Sequence, residues 1–273
     1  MKRICRAALP FCIGIASLDA SADSLRPPPG TPAPPIAPTI EITSLSTSTT
    51  RRIWDQYLEG TLALQNGLDQ SGPRARLGLG FGRYDYPIAG TDVPFSDFGL
   101  PWLRQFGKIS GRYQEGAFLV GYELVGDRYA LLGLVGAGVQ HHSLSQPDPE
   151  NPVRGTRWGF NVVGEVDAYP TDQTMFFGYG MYSTAFQSAY IDARPGYLVL
   201  KQFNLGTLLS ATNIYVGPQG IWDSNRHERI WKVGAHLTIS EFGPFHATFA
   251  GGYAYDNFNR SGAYGLVETS VRF

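Results

Sequence analysis

His236 and His246 each have a threonine two positions further on, Thr238 and Thr248. In an extended strand, residues two apart share a face, so each pair lies side by side. A histidine beside a hydroxyl is the start of a base–nucleophile pair, the chemistry of hydrolases and acyltransferases. No serine takes the partner position, and a threonine nucleophile ordinarily needs an N-terminal amine or similar activation. Polar strand residues are therefore the first reading, with a hydrolase or acyltransferase as the weaker alternative. His141 and His142 are adjacent, so on a strand they point to opposite faces and chelate a metal poorly. The prolines of Gln146-Pro147-Asp148-Pro149-Glu150-Asn151-Pro152 then stiffen a surface loop. The expectation is a non-enzymatic protein with no catalytic residue, metal or cofactor.

Charge is sparse but grouped. Arg157, Asn161, Glu165 and Asp167 fall on one face of a strand, and Asp192 and Arg194 on one face of another. Such faces suit either a polar lining that binds or passes a hydroxyl-rich polymer, or a salt-bridged plug that fills a narrow barrel. Both readings stay open. If these strands cross a membrane the charges must face the lumen, because a basic group toward lipid costs ~2–4 kcal/mol near mid-bilayer.

Alternating segments must carry these faces. Leu77, Leu79 and Phe81 alternate with Gly78, Gly80 and Gly82; Trp231, Val233, Ala235, Leu237 and Ile239 alternate with Lys232, Gly234, His236, Thr238 and Ser240. About eleven such segments follow Ile53, broken by Gly, Pro, Asn and Asp. Several run ~10 to 13 residues, longer than the usual five or six of globular strands and long enough to cross a membrane at a tilt. An even strand number predicts an all-β, antiparallel transmembrane barrel of twelve strands, with ten as second choice. Trp54, Trp102, Tyr113, Trp158, Tyr169, Tyr197, Trp222 and Tyr255 are candidates for aromatic girdles at the lipid boundaries. The final strand sets Gly265, Val267, Thr269, Val271 and Phe273 on one face and Leu266, Glu268, Ser270 and Arg272 on the other. Ending on Phe273, it resembles the terminal strand of outer-membrane barrels. It is expected to seal against the segment near Ile53 to Leu64.

Lys2, Arg3 and Arg6 precede an apolar stretch from Ala7 to Leu18 and the small residues Ala20-Ser21-Ala22, the layout of a cleavable signal peptide over 1–22. Cys5 and Cys12 both lie inside it, and bulky Phe11 before Cys12 argues against lipidation. The exported chain would carry no cysteine, which excludes disulfides and cysteine-bound metals. Residues 23–50, rich in Pro and then in Ser and Thr, read as a disordered arm, and 51–273 as the barrel. A formal net charge of −1 offers no basic groove for nucleic acid. Outer-membrane lipid and the barrel assembly machinery are the partners such a barrel requires.

Several motifs in order resemble the bacterial cellulose biosynthesis protein BcsS family, whose genes lie beside those for cellulose synthase. They are Gly80-Phe81-Gly82-Arg83-Tyr84-Asp85-Tyr86, Asp148-Pro149-Glu150-Asn151-Pro152-Val153-Arg154-Gly155 and Tyr182-Ser183-Thr184-Ala185-Phe186. Ala193-Arg194-Pro195-Gly196-Tyr197, Val216-Gly217-Pro218-Gln219-Gly220 and Gly252-Tyr253-Ala254-Tyr255-Asp256 complete the series, over roughly 75 to 273. Gln219, commonly Glu in the family, and Pro195, commonly another residue, depart from the pattern. A proline there predicts an edge, a bulge or a strand end. The stretch from Leu198 to Asn213 is long for the family. The resemblance implies an outer-membrane accessory to cellulose or exopolysaccharide production or export, with cellulose synthase components or glucan as partners and no catalytic residues. A generic small porin or structural barrel is the alternative.

Overall fold

Wherever apolar residues alternate with small or polar ones the chain is extended, because that period places every apolar side chain on one face. The computed structural model describes residues 38–50, 53–87, 108–148, 151–205, 209–224, 229–242, 244–256 and 261–273. The expected signal peptide, the proline-rich part of the arm and Trp102 lie outside them. The strands are β1 (Ile40–Thr49), β2 (Trp54–Ala63), β3 (Gly72–Pro87), β4 (Lys108–Val125), β5 (Tyr129–Leu144) and β6 (Gly155–Thr171). They continue as β7 (Thr174–Ser183), β8 (Ser188–Leu205), β9 (Leu209–Ser224), β10 (Arg229–Phe242), β11 (Phe245–Asp256) and β12 (Ser261–Arg272). Each pairs antiparallel with its sequence neighbours, and β12 pairs with β1 to close a twelve-stranded barrel.

The barrel is inside-out relative to a soluble one. On β3, Leu77, Leu79 and Phe81 are 56, 51 and 44% exposed, whereas Arg74 and Arg76 between the inward glycines are fully buried. Phe118 and Val120 of β4, and Trp158, Phe160 and Val162 of β6, continue the apolar outer wall. An exposed apolar belt around a closed barrel with a charged interior is the arrangement a bilayer requires: lipid meets the apolar face, and closure leaves no strand edge unpaired. The outward run from Pro73 to Phe81 spans about 26 Å along the strand at ~3.3 Å per residue. At a tilt of ~40° that is roughly 20 Å of bilayer.

The eleven segments after Ile53 are β2 to β12. The twelfth strand comes from the segment expected to belong to the arm, so the barrel begins at Ile40 and not at 51. Accordingly β12 seals against Ile40–Thr49, with Thr43 opposite Ser270 and Leu45 opposite Glu268, and not against Ile53–Leu64, which contributes β2. The physical reason is pairing: without β1, the backbones of β2 and β12 would present open edges to lipid. Outward Ser44 and Ser46 of β1 are tolerated because they are satisfied locally. Gln56 of β2 donates to Ser44 Oγ at 2.8 Å and accepts from Ser46 Oγ.

Trp54, Trp158, Tyr197 and Tyr255 are exposed on the outer wall, and Trp222 leans on Trp231 with ring centroids 6.0 Å apart. Tyr113 and Tyr169 were expected in the girdle but have the opposite parity. Tyr113 is buried, and Tyr169 packs inward against Tyr215.

Pro195 is neither edge, bulge nor strand end: it lies within β8, opposite Phe176 of β7. On its other side Ala193 pairs with Gly220 and Tyr197 with Val216. That register sets Pro195 across from Pro218, so the two residues that cannot donate share one gap. Gly217 beside it must lack a side chain, since a Cβ there would lie 1.9 Å from the Pro195 carbonyl oxygen. The long stretch from Leu198 to Asn213 extends the β8–β9 hairpin through three register shifts.

Candidate functional site

Inward positions from all round the barrel meet in the lumen and form tiers. At the rim where β1 starts and β12 ends, Arg74 donates through Nε to Glu123 at 2.6 Å and through Nη2 to the Gln70 carbonyl at 2.5 Å. Arg272 holds Glu41 at 2.7 Å and reaches Asp69 at 3.6 Å. These arginines pull the β2–β3 connection inward, where Leu68 is buried.

The middle tier is bridged twice. Arg76 of β3 donates to Glu165 of β6 at 3.0 Å and to Thr61 at 2.9 Å, with Glu59 at 4.0 Å. Arg194 of β8 binds Asp192 through Nε and Nη2, at 3.0 and 2.7 Å, and Glu268 of β12 through Nη1 at 2.5 Å. Its guanidinium lies 4.8 Å from the centroid of the Phe177 ring. Gln219 donates to both oxygens of Asp192 and accepts from the Tyr264 hydroxyl at 3.1 Å. Charges so deeply buried persist only when paired and hydrogen-bonded, and here each guanidinium is multiply engaged.

Toward the other rim, the Tyr57 and Tyr113 hydroxyls are 2.6 Å apart, Tyr113 donates to Asp55 at 3.0 Å, and Gln140 donates to Glu115 at 2.9 Å. Gly80 of β3 makes this packing possible, since a Cβ there would lie 2.6 Å from both Glu115 and Tyr57. His142 is stacked on Tyr113 and meets Phe186 edge-on. Val153, Ala185 and Phe186 form a small apolar cluster that folds two connections over this end.

The residues singled out from sequence separate into three situations. Glu165, Asp192 and Arg194 belong to the two bridges across the lumen. Asn161 and Asp167 are buried on the inward face of β6; beside Asn161, against Glu115, Gln140 and Ser183, is a void of about 10 Å³, room for one water. Arg157 shares their parity but lies beyond the filled region, exposed, with its guanidinium 5.1 Å from the Phe186 ring centroid. Phe273 lies on the exposed wall, and its backbone N–H donates to the Ile40 carbonyl at 2.9 Å. Arg74, Arg76, Glu268 and the Tyr57–Tyr113 pair were missed as site residues. Their parity opposite Leu77, Leu79 and Val267 was the available signal.

His236 and His246 are buried, and their rings are engaged with neighbours. A carbonyl only accepts, so His236 Nε2 carries the proton given to Pro195 O at 3.0 Å, and Nδ1 accepts from Thr238 at 2.9 Å. Thr238 and Thr248 are 3.1 Å apart, and His246 Nε2 lies 3.2 Å from Thr248. The two histidine–threonine pairs thus form one chain that ties β10 and β11 to β8. His141 and His142 do point to opposite faces, His141 outward to Thr156 at 2.8 Å. Among the described residues no group of three or more His, Cys, Asp or Glu is placed to hold a metal.

An apolar outer wall around a lumen bridged by buried ion pairs defines a transmembrane β-barrel with a filled interior. The model of the family "Cellulose biosynthesis protein BcsS" matches residues 55–273, and the chain belongs to that family. No curated protein sequence matches it. Similar solved structures include a KdgM porin, with TM-score 0.42, 8% identity, and 85% of this chain and 99% of that one covered. LpxR from Salmonella typhimurium gives TM-score 0.45 and 11% identity over 86% of this chain and 100% of that one. The COG4313 outer membrane channel from Pseudomonas putida F1 gives 0.42 and 13%, over 91% and 100%.

Proposed function

We propose that the protein is a non-enzymatic outer-membrane barrel that serves cellulose production or export as an accessory, and not as the conduit for the polymer. Membership of the cellulose biosynthesis family supports the process. The observation that carries the accessory role is the pair of bridges Arg76–Glu165 and Arg194–Glu268, which occupy the space a glucan chain would need. A twelve-stranded barrel is narrow before any side chain is added, and these cross its middle.

On this reading glucan or cellulose synthase components are met at the rims, and Arg157, exposed and backed by the buried Phe186 ring, is a polar group offered there. Lipid holds the wall, and the barrel assembly machinery inserts it. Deleting the gene and restoring either the natural sequence or an Arg157→Ala variant tests the role. Cellulose output or fibre architecture should fall on deletion and return with the natural sequence. Unchanged output and architecture after deletion would overturn the proposal.

A further inference from the structure

Arg74, Arg76, Arg194 and Arg272 point inward and are paired, whereas Arg83 and Arg112 point outward. Arg83 of β3 stands directly opposite Arg112 of β4, and Arg112 opposite Ser143 of β5, all on the outer face. Like charges directly opposite on one face of a sheet repel and are destabilising without a counter-charge. Among the described residues the nearby carboxylate is Asp85, 4.0 Å from Arg83 Nε, and it already accepts from Ser110 Oγ at 2.6 Å. Among the described residues one carboxylate therefore stands against two guanidiniums. Arg112 has no ion pair among the described residues.

The position along each strand is informative. On β3 the outward residues run Leu77, Leu79, Phe81 and then Arg83; on β4, toward the same rim, they run Phe118, Gly116, Gln114 and then Arg112. On β5 and β6 the change falls between Val139 and His141 and between Trp158 and Thr156. The arginines thus sit just past the apolar belt, where headgroups begin. This is the rim of the β3–β4 and β5–β6 connections, the longer ones, which in bacterial barrels face the outside. An open recess of about 380 Å³ lies there, lined by Arg83, Ser110, Arg112, Ser143, Leu144 and Ser145. Two forked guanidiniums with serine hydroxyls beside them match the oxygens of a phosphate monoester.

We propose that this recess binds the phosphate of an outer-leaflet glycolipid of the lipid A type, whose acyl chains lie along Phe81, Phe118 and Trp158. The guanidiniums of Arg83 and Arg112 neutralise the phosphate, and the lipid in turn relieves their repulsion. The bound lipid fixes the height of β3 to β5 in the membrane. The proposal rests on the barrel standing in an outer membrane, and its test is independent of cellulose output.

The full chain in nanodiscs of zwitterionic phospholipid is offered bisphosphorylated lipid A, the same lipid after phosphatase treatment, or inorganic phosphate, with binding read by native mass spectrometry. The phosphorylated lipid should bind on the order of tenfold more tightly than the treated one. Arg83→Gln/Arg112→Gln should remove that preference, while Arg128→Gln, at the opposite rim in an exposed pair with Asp172, leaves it intact. Equal binding of both lipids by the natural protein overturns the proposal without any variant. So does a preference that survives the double substitution, or displacement of the lipid by inorganic phosphate at equal concentration.

Discussion

Arg76 on β3 and Glu165 on β6 join at 3.0 Å across the lumen, with β4 and β5 lying between their strands. Arg194 on β8 and Glu268 on β12 do the same across three intervening strands. Each tie links walls that hydrogen bonding between neighbours leaves independent, so together they set the cross-section of the barrel as well as blocking it.

Removing both partners of both ties clears the middle of the lumen, provided that Glu59 and Asp192, which share the two arginines, are neutralised with them. The variant Glu59→Gln/Arg76→Ala/Glu165→Ala/Asp192→Asn/Arg194→Ala/Glu268→Ala should show stable ohmic steps in planar bilayers, against a quiet baseline for the natural sequence. Equal conductance from the two proteins would mean that the ties do not close the lumen.

Breaking one tie from one side has a different signature. Arg194→Met leaves Asp192 and Glu268 buried without their cation, which costs about 3–5 kcal/mol. Asp192→Asn/Arg194→Met/Glu268→Met removes the stranded charges and should recover more than half of that loss. The midpoint of the folded-to-unfolded band shift in urea measures both, and a triple variant no more stable than the single one would count against the pairing.

The alternation of β3 to β12 was legible because lipid imposes a hydrophobic period on the outer face. That period also gave the lumenal parity of Glu165, Asp167, Asp192 and Arg194. It failed at β1, where the outward residues Ser44, Ser46 and Ser48 carry no apolar signal, the first two being joined through Gln56. Partners across the lumen were not legible at all. Arg76 and Glu165 are 89 positions apart, and only the closed register brings their faces together.

The late start of the barrel yields a truncation test. A chain beginning at Pro38 keeps β1 and the bond from Leu68 N–H to the Pro38 carbonyl at 2.7 Å. It should fold and show the heat-dependent gel shift of a closed barrel. A chain beginning at Arg51 lacks the strand that covers β2 and β12 and should run as one unfolded band. A normal shift from the shorter chain would restore the seal of β12 against Ile53–Leu64.

The last prediction concerns the gap between Pro195 and Pro218. In an antiparallel pair that exchanges hydrogen bonds, each residue donates to the other's carbonyl. Two facing prolines supply neither donor, and His236 reaches over Gly217 to give its Nε2 proton to the Pro195 carbonyl instead. Replacing that histidine with alanine leaves the Pro195 carbonyl without its donor, at a cost of about 1–3 kcal/mol. A backbone N–H at 218 would be aimed at the same oxygen, so Pro218→Ala should restore most of the loss in the His236→Ala background. In the natural background it should gain little, since the carbonyl is already served. Urea midpoints of the four proteins form the cycle, and additive effects of the two substitutions would show that the histidine and the proline gap are unrelated.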